Sequence, residues 1–231
     1  MKKSDSALRE VERGGGAPLQ PWAGLSTATV SDALDRHGIA GQVIGVAPLS
    51  TSFRMVGRAY TVRMVPTSGL GGTVGDYIDD VPTGAVVVLD NEGRLDMTVW
   101  GDLLTLTAHT RGVAGTVIHG VCRDVNSSLR LGYPIFSRGV SMRTGKGRVR
   151  AEAFQVPVSL GATTVEPDAL MLGDADGVIV VPQQMEEKVL HTARLIHEAE
   201  EHIRAAVVDG ASLAVAREQF GYHRLQQQCR S

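Results

Sequence analysis

Gly115-Thr-Val-Ile-His-Gly-Val-Cys-Arg-Asp124 is an apolar run that ends abruptly in a guanidinium and a carboxylate. Within it Thr116-Val-Ile118 predicts a buried strand, since β-branched residues without polar alternation suit a strand covered on both faces. Upstream, Gly84-Ala-Val-Val-Val-Leu-Asp90 is a second run of the same kind, closed by Asp90-Asn91. Between the two, Asp96 to Thr110 predicts a helix with Leu103, Leu104, Leu106 and Ala108 on its inner face and Gly112 as its stop. Downstream, Val125 to Leu131 predicts a short helix ended by Gly132. Strand, helix, strand, helix is the pattern of parallel strands joined by right-handed crossovers, so the chain is α/β.

The flanks add to this core. Ser26 to Arg36 carries apolar residues at Ala28, Val30, Ala33 and Leu34 before Gly38, which predicts a helix. Arg58-Ala-Tyr-Thr-Val-Arg-Met-Val65 alternates and stops at Pro66, as a strand does. A Gly-rich loop, Gly69 to Gly75, leads into a short helix through Tyr77 and Ile78; it lacks both the dinucleotide pattern and a P-loop lysine. Further strands are expected at Ile135-Phe136, Phe154 to Ser159, Ala169 to Leu172 and Val178 to Val181, which makes the sheet mixed or adds a second β layer. A long amphipathic helix follows over Gln183 to Val208, then a shorter one over Ser212 to Phe220. The expected division is a loosely held arm over residues 1–20, a catalytic domain over 21–182, and C-terminal helices over 183–231 that contact another subunit.

Composition narrows the partners. The 231 residues carry a formal net charge of -2 and only 4% aromatic residues, so neither bulk charge nor stacking surface points to nucleic acid or an anionic membrane. The two cysteines, Cys122 and Cys229, are too few for a disulfide framework or a structural zinc site. The N-terminus has no apolar signal segment, and no apolar stretch reaches membrane-spanning length, so a cytoplasmic protein is expected. The basic stretch Arg138, Arg143, Lys146, Arg148 and Arg150 reads as a solvated loop, and Cys122 as a small buried residue.

Chemistry concentrates in two segments. In Gly101-Asp-Leu-Leu104, the N–H groups of Leu103 and Leu104 fall among the unpaired donors of a helix N-terminus, where glycine lets an anion approach. Asp102 also suits first-turn helix electrostatics alone. Arg123-Asp124 follows a strand, where α/β folds gather ligand residues. Arginine holds a carboxylate or oxyanion in its fork, and aspartate is a hard ligand for Mg²⁺ or Mn²⁺. The same pair also reads as a salt-bridged turn with Asp124 capping the next helix.

Taken together, Asp96-Met-Thr-Val-Trp-Gly-Asp-Leu-Leu104 and Arg111-Gly-Val-Ala-Gly-Thr-Val-Ile-His-Gly-Val-Cys-Arg-Asp124 resemble the RraA-like superfamily. Within it the pattern is closest to the 4-hydroxy-4-methyl-2-oxoglutarate/4-carboxy-4-hydroxy-2-oxoadipate aldolases, which are class II pyruvate aldolases. The likeness runs on through Gly132-Tyr-Pro-Ile-Phe136, Val156-Pro-Val158 and Gly173-Asp-Ala-Asp-Gly-Val-Ile-Val-Val-Pro182. It departs at Val165-Glu-Pro-Asp-Ala169, where Val-x-Pro-Gly-Asp is usual.

The resemblance implies a β/β/α sandwich of the swivelling-domain type, with a mixed central sheet and a C-terminal helical extension. It implies a lyase that cleaves a 4-hydroxy-2-oxo acid to pyruvate, with oxaloacetate decarboxylation through the same enolate. The pyruvyl carboxylate would sit on the backbone of Gly101, Asp102, Leu103 and Leu104; Arg123 would contact substrate, Asp124 would carry Mg²⁺ or Mn²⁺, and Asp102 would position the water acting as base. A glutamate from a neighbouring subunit completes the metal's outer shell in that family, a place open to Glu200 or Glu201; the same stretch also reads as a solvated helix face with His197/Glu201 and Glu198/His202 pairs. A homotrimer or homohexamer follows by likeness. The competing reading is a non-catalytic regulator of an RNA-processing nuclease, but the family's founding member, such a regulator, lacks an aspartate after this arginine, so Asp124 argues for the enzyme branch. A methyltransferase has little support, because no adenosine-binding glycine motif is present.

Overall fold

The structure, a computed structural model, describes residues 19–67 and 73–225. Residues 1–18 of the expected N-terminal arm, most of the Gly-rich loop and Cys229 lie outside the described residues. In chain order the elements are α1 (Thr27–Arg36), β1 (Gln42–Val43), β2 (Ala47–Pro48), β3 (Met55–Pro66), β4 (Ala85–Asp90), α2 (Asp102–Thr110), β5 (Gly115–Cys122) and α3 (Val125–Leu131). They continue with β6 (Ile135–Val140), β7 (Val149–Phe154), β8 (Val158–Leu160), β9 (Thr163–Val165), β10 (Leu170–Asp174), β11 (Gly177–Val181), α4 (Glu186–Val208), α5 (Leu213–Gln219) and α6 (Tyr222–Leu225).

The main sheet runs β1-β11-β10-β3-β4-β5-β6-β2, with β7 pairing the far end of β3. Its centre, β3-β4-β5-β6, is parallel, and the strands flanking this centre are antiparallel, so the sheet is mixed. Alternation along the strands sorts side chains to two faces. Val62, Leu89, Ile118 and Cys122 pack with Trp100, Ala108 and Tyr133 on the face that carries α2. Leu170 and Leu172 continue that face beneath Val30 and Leu34 of α1 and Val189 and Ile196 of α4. On the other face Val86, Val88, Val117 and Met171 pack against Val158, Leu160 and Val165 of the β8-β9 hairpin. The result is a β/β/α arrangement in which the inner stripe of α4 belongs to the core of its own chain. No helix among the described residues is long and apolar enough to cross a membrane.

Three expectations need correction. The helix expected from Asp96 begins only at Asp102, because Thr98 is held in β-bridges to Val121 and Thr144 and Gly101 is extended. Leu103 and Leu106, expected inside, are 75% and 52% exposed. The face turned inward is instead that of Thr105 and Ala108, since the buried indole of Trp100 needs an acceptor and finds it in the Thr105 hydroxyl. The single strand expected over Phe154 to Ser159 is two: the chain turns at Gln155 (φ +52), whose backbone N–H and side-chain Oε1 both bond Thr61, and Pro157 lies in the gap.

Two local features follow from the sequence. Asp168, where the family pattern has glycine, adopts φ +62 and bridges β3 through its N–H to Ala59 O. Asp174 anchors α1: Thr27 N–H donates to Oδ2 at 2.9 Å, the Thr27 hydroxyl to Oδ1 at 2.6 Å, and Asp176 N–H to Oδ1 at 3.0 Å.

Candidate active site

Parallel β5 delivers Arg123 and Asp124 to its carboxyl end, next to the point where α2 begins. Segment 98–100 makes this adjacency rigid, since Val99 N–H bonds Val121 O and Arg123 N–H bonds Trp100 O at 3.0 Å. Asp124 sits in the left-handed region, φ +57 and ψ +41. Aspartate tolerates that conformation better than most residues, and such outliers gather at sites where direction matters more than comfort. Its carboxylate does not cap α3, the helix it precedes. It crosses instead to α2, where Oδ2 accepts the Asp102 N–H at 3.2 Å and lies 3.3 Å from Arg123 Nε. The reading of Asp124 as an ordinary cap of the following helix is therefore replaced by a contact between the two sequence segments.

Gly101 is glycine for a steric reason. A Cβ there would stand 2.9 Å from Asp124 Oδ2 and 3.2 Å from Arg123 Nε. At the turn itself, Asp102 N–H goes to Asp124, Leu103 N–H goes to Asp102 Oδ1 at 2.9 Å, and Leu104 N–H has no partner among the described residues. Of the two donors expected to be open, one is thus held by the adjacent carboxylate and must be released before it can bind an anion.

A cleft of 690 Å³ opens over this turn. Gly101, Asp102, Leu103, Leu104 and Arg123 line it, together with Asp76, Asp79 and Lys146. Asp124 contacts Gly101 and Arg123 but is not among the lining residues, although its carboxylate is 39% exposed. By sequence Lys146 belongs to a solvated basic loop. Its place in the cleft depends on Thr98 and Thr144 bridging distant parts of the chain, and no local motif signals it. Of the Gly-rich loop, Thr73 and Gly75 also line the cleft, Gly75 so close to Leu104 that a Cβ would meet its side chain at 2.6 Å.

Cys122 is buried beside this site, and burial pushes its thiol up, with the Asp124 charge adding to the shift and a Ser137 contact opposing it. It is a packing residue and not a poised nucleophile. Glu200 and Glu201 lie on α4, where both pair with Arg204 and Glu200 also accepts from the Tyr222 hydroxyl. Within one chain the structure does not bring them to Asp124.

The donor set can be tested against a metal. Among the described residues no group of three or more His, Cys, Asp or Glu side chains forms a cage. One exposed carboxylate with a free outer oxygen suits Mg²⁺ or Mn²⁺, which keep several waters and take further ligands from substrate. It does not suit a tetrahedral structural zinc.

Comparison with known proteins identifies relatives over most of the chain. A Legionella pneumophila protein, "Protein DlpA", is 39% identical over 207 residues, covering 88% of this chain but only 34% of that longer protein. A Halalkalibacterium halodurans protein named "Putative 4-hydroxy-4-methyl-2-oxoglutarate aldolase" is 34% identical over 189 residues, covering 80% of this chain and 86% of that one. The crystal structure of Streptomyces coelicolor RraAS2, described as an unusual member of the RNase ES inhibitor RraA protein family, superposes with a TM-score of 0.73 at 26% identity, over 80% of this chain and 94% of that one. The family model described as RraA-like, Aldolase/RraA, matches residues 27–180, and the chain belongs to that family.

Proposed function

We propose that this protein is a divalent-metal-dependent lyase that cleaves a 4-hydroxy-2-oxo acid to pyruvate and a second carbonyl compound, and that it decarboxylates oxaloacetate through the same pyruvate enolate. The observation that carries the reading is the meeting of Arg123 and Asp124 with the first turn of α2, where that turn and Arg123 line one cleft. The name of the halodurans relative supports the same chemistry.

The substrate carboxylate is an anion and belongs at the α2 N-terminus, where the Leu104 N–H is open and the Leu103 N–H can exchange Asp102 for substrate. Arg123, 40% exposed, offers its guanidinium to the 2-oxo oxygen, where negative charge grows as the C3–C4 bond breaks and its electron pair moves to C3. The 4-hydroxyl proton must leave as C4 becomes a carbonyl, and Asp102 orients the water that accepts it. Decarboxylation of oxaloacetate needs no such base, because CO₂ departs in place of the carbonyl product. Mg²⁺ or Mn²⁺ held by Asp124 would supply Lewis-acid stabilisation of that growing charge. In the assembled protein, a homotrimer or a pair of trimers, Glu200 or Glu201 of a neighbour would extend the metal's surroundings.

The test is pyruvate release from oxaloacetate and from a set of 4-hydroxy-2-oxo acids, with Mg²⁺, with Mn²⁺ and after EDTA. Pyruvate release that needs the metal and is abolished in Asp124→Ala is expected. Full activity after EDTA removes the metal from the reading. No pyruvate from any substrate removes the lyase and favours the second reading, a non-catalytic binding protein of an RNA-processing nuclease, for which the RraAS2 likeness speaks.

A further inference from the structure

Trp100 touches both halves of the site from beneath. Its carbonyl receives the Arg123 N–H at 3.0 Å, and its indole Nε1 donates to Thr105 Oγ1 at 2.9 Å. An indole nitrogen only donates, so the threonine hydroxyl accepts from it and must direct its own proton elsewhere. It gives that proton to Gly101 O at 2.9 Å, which also takes the Thr105 N–H at 3.0 Å. Trp100 is 2% exposed and Thr105 1%. The indole lies parallel to the Tyr133 ring, 6.2 Å between centroids with 3° between planes, and Tyr133 is itself held by its hydroxyl contact with Thr116 at 2.8 Å. A one-directional relay, Trp100 to Thr105 to Gly101, thus starts from a buried ring and ends on the peptide that orients the first turn of α2.

We propose that Trp100 and Thr105 are positioning residues for substrate binding, and that their relay sets how tightly the first turn of α2 holds the carboxylate of a 2-oxo acid. The inference rests on the lyase reading of the site for its substrate and on the observed relay for its mechanism. The carboxylate keeps its charge throughout the reaction, so its anchoring is felt alike by bound substrate and transition state. Loosening it raises KM and leaves kcat nearly unchanged. A residue serving only to hold the fold would instead change stability without that split.

The variants are chosen to separate hydroxyl from volume. Thr105→Val keeps the shape and removes the relay; it is expected to raise KM for oxaloacetate about tenfold, with kcat changed by less than about threefold. Thr105→Ser loses a buried methyl group but keeps the hydroxyl, and is expected to return KM to within about twofold of wild type even where its melting temperature falls. Trp100→Phe preserves an aromatic ring over Tyr133 and leaves the hydroxyl free to reach Gly101, so its KM should fall between the two. Backbone amide exchange at Asp102 and Arg123, read by NMR on the same proteins, gives an outcome independent of turnover. It should quicken in Thr105→Val and recover in Thr105→Ser.

Wild-type KM in Thr105→Val, or a KM that follows melting temperature across the three variants, overturns the positioning role and leaves the lyase reading standing. Absence of pyruvate release in the wild-type protein removes the lyase reading. In that case unchanged exchange at Asp102 and Arg123 in Thr105→Val overturns the relay as well.

Discussion

Gly101 shows how much one missing side chain decides. It stands where Asp124 Oδ2 and Arg123 Nε both lie within 3.2 Å of a Cβ position, so any larger residue separates the carboxylate from the turn. Gly101→Ala is expected to lower kcat/KM for pyruvate release about 10²-fold by displacing the reacting groups, while the melting temperature stays within about 4 °C of wild type. A variant with wild-type kinetics would show that the close approach is incidental. Arg123→Ala should cost about 10²-fold or more in kcat through loss of charge stabilisation at the enolate oxygen. Arg123→Lys should recover only part of it, since a point charge does not replace the planar fork. The candidate residues at this scale were legible because Gly101 to Leu104 and Arg123-Asp124 are local strings with definite chemistry. Lys146 was not, because nothing in its own neighbourhood distinguishes a cleft lysine from a solvated one.

At the scale of elements, the anchoring of α1 to the β10-β11 turn is the contact with the clearest pH dependence. Burial alone would raise the Asp174 carboxyl, but bonds from Thr27 and Asp176, with Arg54 nearby, outweigh it and hold the group below its ordinary value of 3.8. A depressed carboxyl pKa adds stability that is fully present above the unfolded value and is lost as pH falls through the folded one. Urea unfolding should therefore show this contribution intact at neutral pH and declining below pH 3.8. Asp174→Ala should lose about 1–2 kcal/mol at pH 7 and show a flatter acid limb; an unchanged acid limb would assign the pH dependence to other carboxylates. The extents of α1 and α3 were legible from the apolar spacing before Gly38 and from Gly132, a local stop that takes φ +64; the structure adds Ser26 as the cap of α1, its Oγ accepting Thr29 N–H at 3.0 Å. The start of α2 was not, because bridges from Thr98 to Val121 of β5 and to Thr144 overrule helix propensity over residues 96–101.

For the molecule as a whole, the exposed leucines of α2 carry the argument for assembly. Leu103, which lines the cleft, and Leu106 are both exposed on α2, and Leu129 on α3 is also exposed. Apolar side chains grouped near a functional cleft are what a subunit interface covers. In the proposed trimer, Leu106→Asp should shift the protein from trimer to monomer in light scattering. Pyruvate release should fall with it if Glu200 or Glu201 serves a neighbour's site. A monomeric wild-type protein would end both expectations.

The sequence by itself determined the alternation of buried strands and helices, the glycine stop of α3 and the two strings of candidate site residues. Each depends on neighbours along the chain and on simple periodicity. Only the tertiary structure decided that α2 turns Thr105 inward and Leu103 and Leu106 outward, and that Lys146 joins the cleft. It also decided that Asp124 reaches across to Asp102 instead of capping its own helix. These outcomes depend on which distant groups meet: a buried indole seeking an acceptor, a β-bridge at Thr98, a left-handed aspartate at the end of a parallel strand. The meeting of Arg123-Asp124 with Gly101 to Leu104 began as two motifs in one chain. The fold made it a single site, because β5 and the start of α2 end side by side.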